Sequence, residues 1–157
     1  MNEHADERAP HAGGRRGGRE AALQMLYQWE IGRLTMPEVR RLYWDMGEDD
    51  APDVSDRSRS FATTLADGTV EHIAEIDPLI EESAENWRLA RMPVLDRLIL
   101  RLAVYEFLHQ AGTPPPVIID EALALARRFS TPEAVKFING VLDGVRKRLH
   151  PDAPTRV

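Results

Sequence analysis

The run MPVLDRLILRLAVYEFL, Met92 to Leu108, limits the architecture of this chain more than any other stretch. Leu, Ala, Arg and Glu are good helix formers. At helical spacing the apolar residues leave no polar side: Leu95, Leu98 and Leu102 point one way, Ile99, Ala103 and Phe107 lie further round, and Leu100, Val104 and Leu108 close the circle. A helix apolar all round belongs in the middle of a bundle. Asp96, Arg97, Arg101 and Glu106 interrupt it too often, and it is too short, for a membrane span. Pro93 suits its first turn, where the missing N–H would be unpaired anyway. The other helices must pack around this segment.

The chain has 157 residues, a one-domain length that can bury a real core. Residues 1–18, rich in Gly, Ala, Arg and acids without apolar period, read as a flexible tail containing arginine and glycine. The domain is expected over 19–150, followed by a C-terminal tail, 151–157. A helix is predicted from Arg19 to about Gly32, with Ala22, Leu23, Leu26 and Trp29 on one side and Tyr27 at its edge. Pro37 to Met46 is amphipathic, Gly47 to Pro52 is an acidic loop, and Val54 to Ile76 has a helical pattern. Asp77 and Pro78 read as cap and first turn of a short helix reaching about Trp87. The prolines of Ala111–Pro116 exclude a helix there, and the last of them can open the next, Val117 to Phe129. Ser130 or Thr131, then Pro132 and Glu133, cap and start a final helix to Leu149. No segment alternates as a strand would, so the fold class is all-α.

The chemistry of catalysis is missing from this pattern. Cysteine is absent, which excludes thiolate metal sites and a cysteine nucleophile. His4, His11, His72, His109 and His150 are scattered, and no metal-ligand spacing, nucleophile motif or phosphate-binding glycine loop occurs. The pairs Glu81-Glu82 and Asp120-Glu121 diverge on a helix and read as solvated surface. No enzyme activity, metal or cofactor is expected. The polar N-terminus lacks the apolar core of a signal peptide, which favours the cytoplasm.

The net charge of −6 argues against nucleic acid as a whole, but the distribution does not. Arg127 to Arg148 holds six basic residues against two acidic ones, a local +4. Arg15, Arg16 and Arg19 form a second positive cluster where the first helix begins, at its positive end. That cluster fits either a phosphate contact or a solvated arm. On the last helix Ala134, Val135, Ile138, Val141, Leu142, Val145 and Leu149 form a core stripe. Phe137 falls about 100° from its centre, beside Glu133, Lys136, Gly140 and Gly144. Phe129 lies just before, next to Arg127 and Arg128. Aromatic rings among cations suit single-stranded nucleic acid, with bases on rings and phosphates on cations. The other reading is that both phenylalanines pack on a neighbouring helix, which the glycines approach closely.

Three segments, REAALQMLYQWE, LDRLILRLAVYEF and PVIIDEALALARRFSTPEAVKFINGVLDGV, together resemble the NusB transcription antitermination factors from Arg15 to about Leu149. The resemblance implies an all-α fold of two packed three-helix bundles. It also implies binding to the boxA element of nascent ribosomal RNA transcripts, jointly with the small-subunit ribosomal protein that serves as NusE, within an RNA polymerase antitermination complex. By position it assigns RNA contacts to Arg15, Arg16, Arg19, Phe129, Glu133, Lys136 and Phe137. It assigns partner contacts to Tyr27 and Asp96. Departures are Gly17 and Gly18, which interrupt the arginine run; Asp120, where asparagine is common; and Glu133, whose carboxylate can accept from base amino groups or repel phosphate. NusB-like domains also occur in ribosomal RNA cytosine methyltransferases, but this chain has no room for a cofactor-binding sheet. A self-associating homodimer is the remaining alternative.

Overall fold

The computed structural model describes residues 14–45, 56–85 and 87–151. Residues 1–13 of the expected tail, the acidic loop at 47–52 and most of the C-terminal tail lie outside them. The described residues contain seven α-helices and no strand: α1 (Arg15–Gly32), α2 (Met36–Asp45), α3 (Asp56–Glu71), α4 (Ile73–Ser83), α5 (Val94–His109), α6 (Pro115–Phe129) and α7 (Pro132–Leu149). A 3-10 turn, Leu89–Arg91, precedes α5. The chain divides into two compact units between Val70 and Glu71. The first holds three helices, as the two-bundle expectation requires, and the second holds four.

In the first unit α1 starts at Arg15, a full turn before the expected Arg19. Tertiary contact explains the difference. The Gly14 carbonyl accepts the Gly18 N–H at 3.0 Å and the Ser58 hydroxyl at 3.1 Å, which fixes the turn to α3. Gly17 and Gly18 are buried. A Cβ on Gly18 would stand 2.9 Å from Phe61 Cδ2 and 3.2 Å from the Ser58 carbonyl, so the helix needs glycine for this approach. Tyr43 of α2 donates its hydroxyl to Gln24 Oε1 of α1 at 2.5 Å. Arg40 of α2 pairs with Asp67 of α3.

In the second unit α5 is buried on every side, from Leu98 through Glu106 without a break. Pro93 stands immediately before the helix rather than inside its first turn. The Asp77–Pro78 pair does not open α4. The helix begins at Ile73, because the His72 carbonyl accepts the N–H groups of Glu75 and Ile76. Ile76 and Ile80 are both fully buried, and this i,i+4 pair holds the register across Pro78. Pro78 deprives only the Ala74 carbonyl of a donor, and Ala74 is exposed to water. Asp77 is occupied elsewhere: its two carboxylate oxygens accept Arg101 Nε and Nη2, each at 2.9 Å. The long segment expected over 54–76 is accordingly two helices, separated at His72.

Thr131 caps α7 as the sequence suggests, accepting the Ala134 N–H at 3.1 Å. α6 begins at Pro115, inside the stretch expected to exclude a helix, because prolines in its first two positions give up only N–H groups that would be unpaired anyway.

Burial, reinforced by the charge of Glu20, pushes the Tyr43 phenol up to about 12, from an ordinary value of 10.0. A group raised in the folded state stabilises fully below its unfolded pKa and loses that contribution as pH rises through the folded one. Chemical denaturation should therefore show stability falling between pH 10 and 12 by at most about 3 kcal/mol. Tyr43→Phe should remove that loss.

Candidate nucleic-acid interface

Each unit contributes one cluster of cations and aromatics. In the first, Arg15 and Arg16 are exposed, whereas Arg19 is buried at 3% exposure. The guanidinium carbons of Arg15 and Arg19 lie 4.5 and 5.4 Å from the centre of the Phe61 ring. Both distances are within cation–π range. The expected loose arm is thus helical from Arg15 onward and stacked on α3. Arg15 and Arg16 face solvent, while Arg19 is buried. Tyr27, on the same helix, is 43% exposed.

In the second unit the α6–α7 corner gathers Phe129, Glu133, Lys136 and Phe137. Phe129 is half-buried, with the Arg128 guanidinium 5.3 Å from its ring centre. Glu133 and Lys136 are exposed. Lys136 has no ion-pair partner among the described residues. Phe137 is half-buried and meets Trp87 edge-on, with centroids 6.0 Å apart and planes at 68°. Trp87 itself is 52% exposed. Beside these rings opens a cleft of about 240 Å³, lined also by Pro93, Asp96, Thr131 and Glu133.

Asp96, expected as a surface acid for a partner, is instead 5% exposed. Its Oδ1 accepts the Ser130 hydroxyl at 2.6 Å, which ties the first turn of α5 to the α6–α7 joint. It forms the floor of the cleft rather than a projecting charge.

The C-terminal part of the basic cluster is largely neutralised. Asp143 pairs with Arg146 at 2.7 Å and Lys147 at 3.0 Å, and Arg148 lies 3.7 Å from Glu82. Hydrogen bonds from Arg146 first, then Lys147, hold the Asp143 carboxyl below its usual range. The cations at the aromatic corner are therefore Lys136, Arg127 and Arg128.

Two pairs of residues distant in the chain come together. His72 and His109, far apart in the chain, lie with ring centres 4.1 Å apart, and His109 Nε2 is 2.8 Å from Glu75 Oε1. Among the described residues no group of three or more His, Cys, Asp or Glu could hold a metal. A Cβ on Gly144 would lie 3.2 Å from that of Ser83, so this glycine does permit close approach to α4. Gly140 has no such reason, since its Cβ would meet nothing within 4 Å. Trp87 was not among the candidate residues, although one signal marks it: it belongs to no helical apolar stripe.

The described residues, helical throughout and without a strand, define an all-α protein with a cation–aromatic cluster in each unit. Within that class, residues 16–147 match the NusB family. The transcription antitermination protein NusB of Solibacter usitatus (strain Ellin6076) is 48% identical over 142 residues, 89% of this chain and 94% of that protein. The T. maritima NusB structure is 34% identical at a TM-score of 0.74, covering 85% of this chain and 90% of that one. A chain in the crystal structure of antitermination factors NusB and NusE in complex with dsRNA is 28% identical, also at TM-score 0.74, covering 85% and 96%. This chain belongs to the NusB family.

Bare backbone in mid-helix costs stability relative to alanine. Because Gly140 faces open space, Gly140→Ala should raise stability by about 0.5–1 kcal/mol in urea denaturation.

Proposed function

We propose that this protein is a transcription antitermination factor that binds boxA-type single-stranded RNA of nascent ribosomal transcripts together with the NusE ribosomal protein. The observation that carries this reading is the α6–α7 corner, where Phe129 and Phe137 keep part of their rings accessible beside Lys136, Arg127 and Arg128. A structural neighbour of the same family is in complex with NusE and double-stranded RNA, which supports an RNA ligand and a NusE partner here. The work is done by binding and needs no catalytic step or cofactor, and it takes place where transcription does, in the cytoplasm.

The division of labour follows from the chemistry. Arg15, Arg16 and Lys136 meet phosphates, which gives salt-dependent and sequence-tolerant affinity. Phe129 and Phe137 offer ring faces to unpaired bases. Phe61 holds Arg15 in place by cation–π contact. Tyr27 offers NusE an exposed ring with a polar tip, a good contact for a protein surface. Because each surface is small, RNA and NusE should strengthen one another's binding by linkage.

Fluorescence anisotropy on a boxA-like strand and a scrambled control, with and without NusE, tests this. Tight and selective binding should require NusE. Equal, weak binding to both strands in its presence would overturn the proposal. Lys136→Ala should weaken binding to every sequence and reduce the salt slope by about one phosphate contact. Phe137→Ala should cost about 1–3 kcal/mol of RNA affinity with the fold intact. An unchanged isotherm would remove Phe137 from the stacking role.

A further inference from the structure

We propose that Lys136 is an acylation site: its amine takes the acyl group of a small acyl phosphate, and the amide formed removes one cation from the RNA surface. The site stands on the geometry of α7, and its consequence for RNA rests on the function proposed above.

The first observation is which cation occupies this position. Of the 20 lysine and arginine residues in the chain, only Lys136 and Lys147 are lysine. For holding a phosphate a guanidinium is the better group, since its fork of donors meets two oxygens at once. A chain that uses arginine almost everywhere else keeps an amine at the α6–α7 corner, which also carries Arg127, Arg128 and Phe137. An amine has what a guanidinium lacks, a neutral form with a nucleophilic lone pair within reach of ordinary pH.

The second observation is the difference between the two lysines. Lys147 Nζ lies 3.0 Å from Asp143 Oδ2, one turn earlier on the same helix. A nucleophile in such a pair must leave its carboxylate before it reacts. Lys136 has no such partner among the described residues. The third is access. The neighbours of Lys136 one turn away on either side, Pro132, Glu133, Asn139 and Gly140, are all exposed. At Gly140 even the first carbon of a side chain would meet nothing within 4 Å, so that flank is bare. The backbone beneath is fixed, because Ala134 and Ile138 are buried. The amine is thus presented by a rigid helix with open space around it.

The chemistry is an acyl transfer. The neutral Nζ attacks the carbonyl carbon of the acyl phosphate and forms an N–C bond. The bond from that carbon to the phosphate oxygen breaks, phosphate leaves with the electron pair, and the proton of the amine passes to water. The donor brings negative charge of its own, which suits a corner where Lys136, Arg127 and Arg128 outweigh Glu133. The product is a neutral amide that has lost the cation and its ion-pairing donor. One phosphate contact disappears, while Phe137 and the arginines are untouched. RNA binding is attenuated rather than abolished.

The test treats the full chain with acetyl phosphate before NusE is added. Peptide mass spectrometry follows each amine, and RNA anisotropy with NusE is read on the same samples. Lys136 should react about threefold faster than Lys147, the advantage that release from a surface ion pair can confer. As Lys136 is converted, RNA affinity should fall about fivefold and the salt slope by about one phosphate contact, with the melting temperature unchanged. Treatment after saturation with NusE and RNA should protect Lys136 and leave Lys147 as reactive as before. Lys136→Arg offers no amine at that position, so treatment should leave it at its own untreated affinity. Lys147→Arg should respond to treatment as the parent does.

Equal or faster reaction at Lys147, or a fall in affinity that treated Lys136→Arg shows as fully as the parent, overturns the inference and leaves the proposed function standing. Unchanged affinity with Lys136 fully acylated does the same. Failure of the untreated parent to bind RNA with NusE overturns the proposed function and the consequence for RNA with it, while the rates at the two lysines still decide whether Lys136 is the site.

Discussion

A helix with no polar side cannot lie against water, and in the second unit this constraint sets the positions of the other elements. α5 buries every residue from Leu98 to Glu106, Arg101 among them. A guanidinium taken out of water needs a partner, since stranding a buried charge costs several kcal/mol. Asp77 supplies it in a two-pronged geometry that fixes direction as well as distance. α4 is thereby tied to α5 by an ion pair as well as by Ile76 and Ile80. The same helix carries Asp96 in its first turn, and the Ser130 hydroxyl ties that turn to the joint between α6 and α7. The floor of the cleft is thus a piece of the core helix. Its geometry follows from how the interior packs rather than from a surface loop.

Charge pairing decides which part of the basic surface is left for a ligand. The local excess of positive charge along α7 looks continuous, yet its C-terminal half is matched by Asp143 and Glu82. The unmatched lysine lies at the other end, beside the two exposed or half-exposed rings. An acidic protein can in this way keep one compact cationic spot without a basic face.

Much of this was legible in the sequence where a signal is local or periodic. The circumference of α5, the Thr131 cap with Pro132 and the position of Phe137 off the α7 stripe all follow from spacing and capping chemistry. What could not be read depends on distant partners. Gly17 and Gly18 argue against a helix until Phe61 and Ser58 are seen to require glycine at position 18. Asp77 before Pro78 reads as a cap until Arg101, twenty-four residues on, claims its carboxylate. Asp96 counts as a surface acid until Ser130 covers it. Trp87 ends one segment in the sequence but becomes a wall of the cleft once Phe137 stands beside it.

The stacking of Arg15 and Arg19 on Phe61 has a kinetic consequence. Had this segment been a loose arm, a ligand would have had to capture it and then order it, with a slow second step after collision. Gly14, held by two donors, and two arginines laid on one ring settle that ordering when the chain folds. The exposed charge of Arg15 is then a fixed point of potential. In the proposed RNA-binding role it would draw the polyanion in over the range of the Debye length, and association would be a matter of encounter and steering rather than of rearrangement.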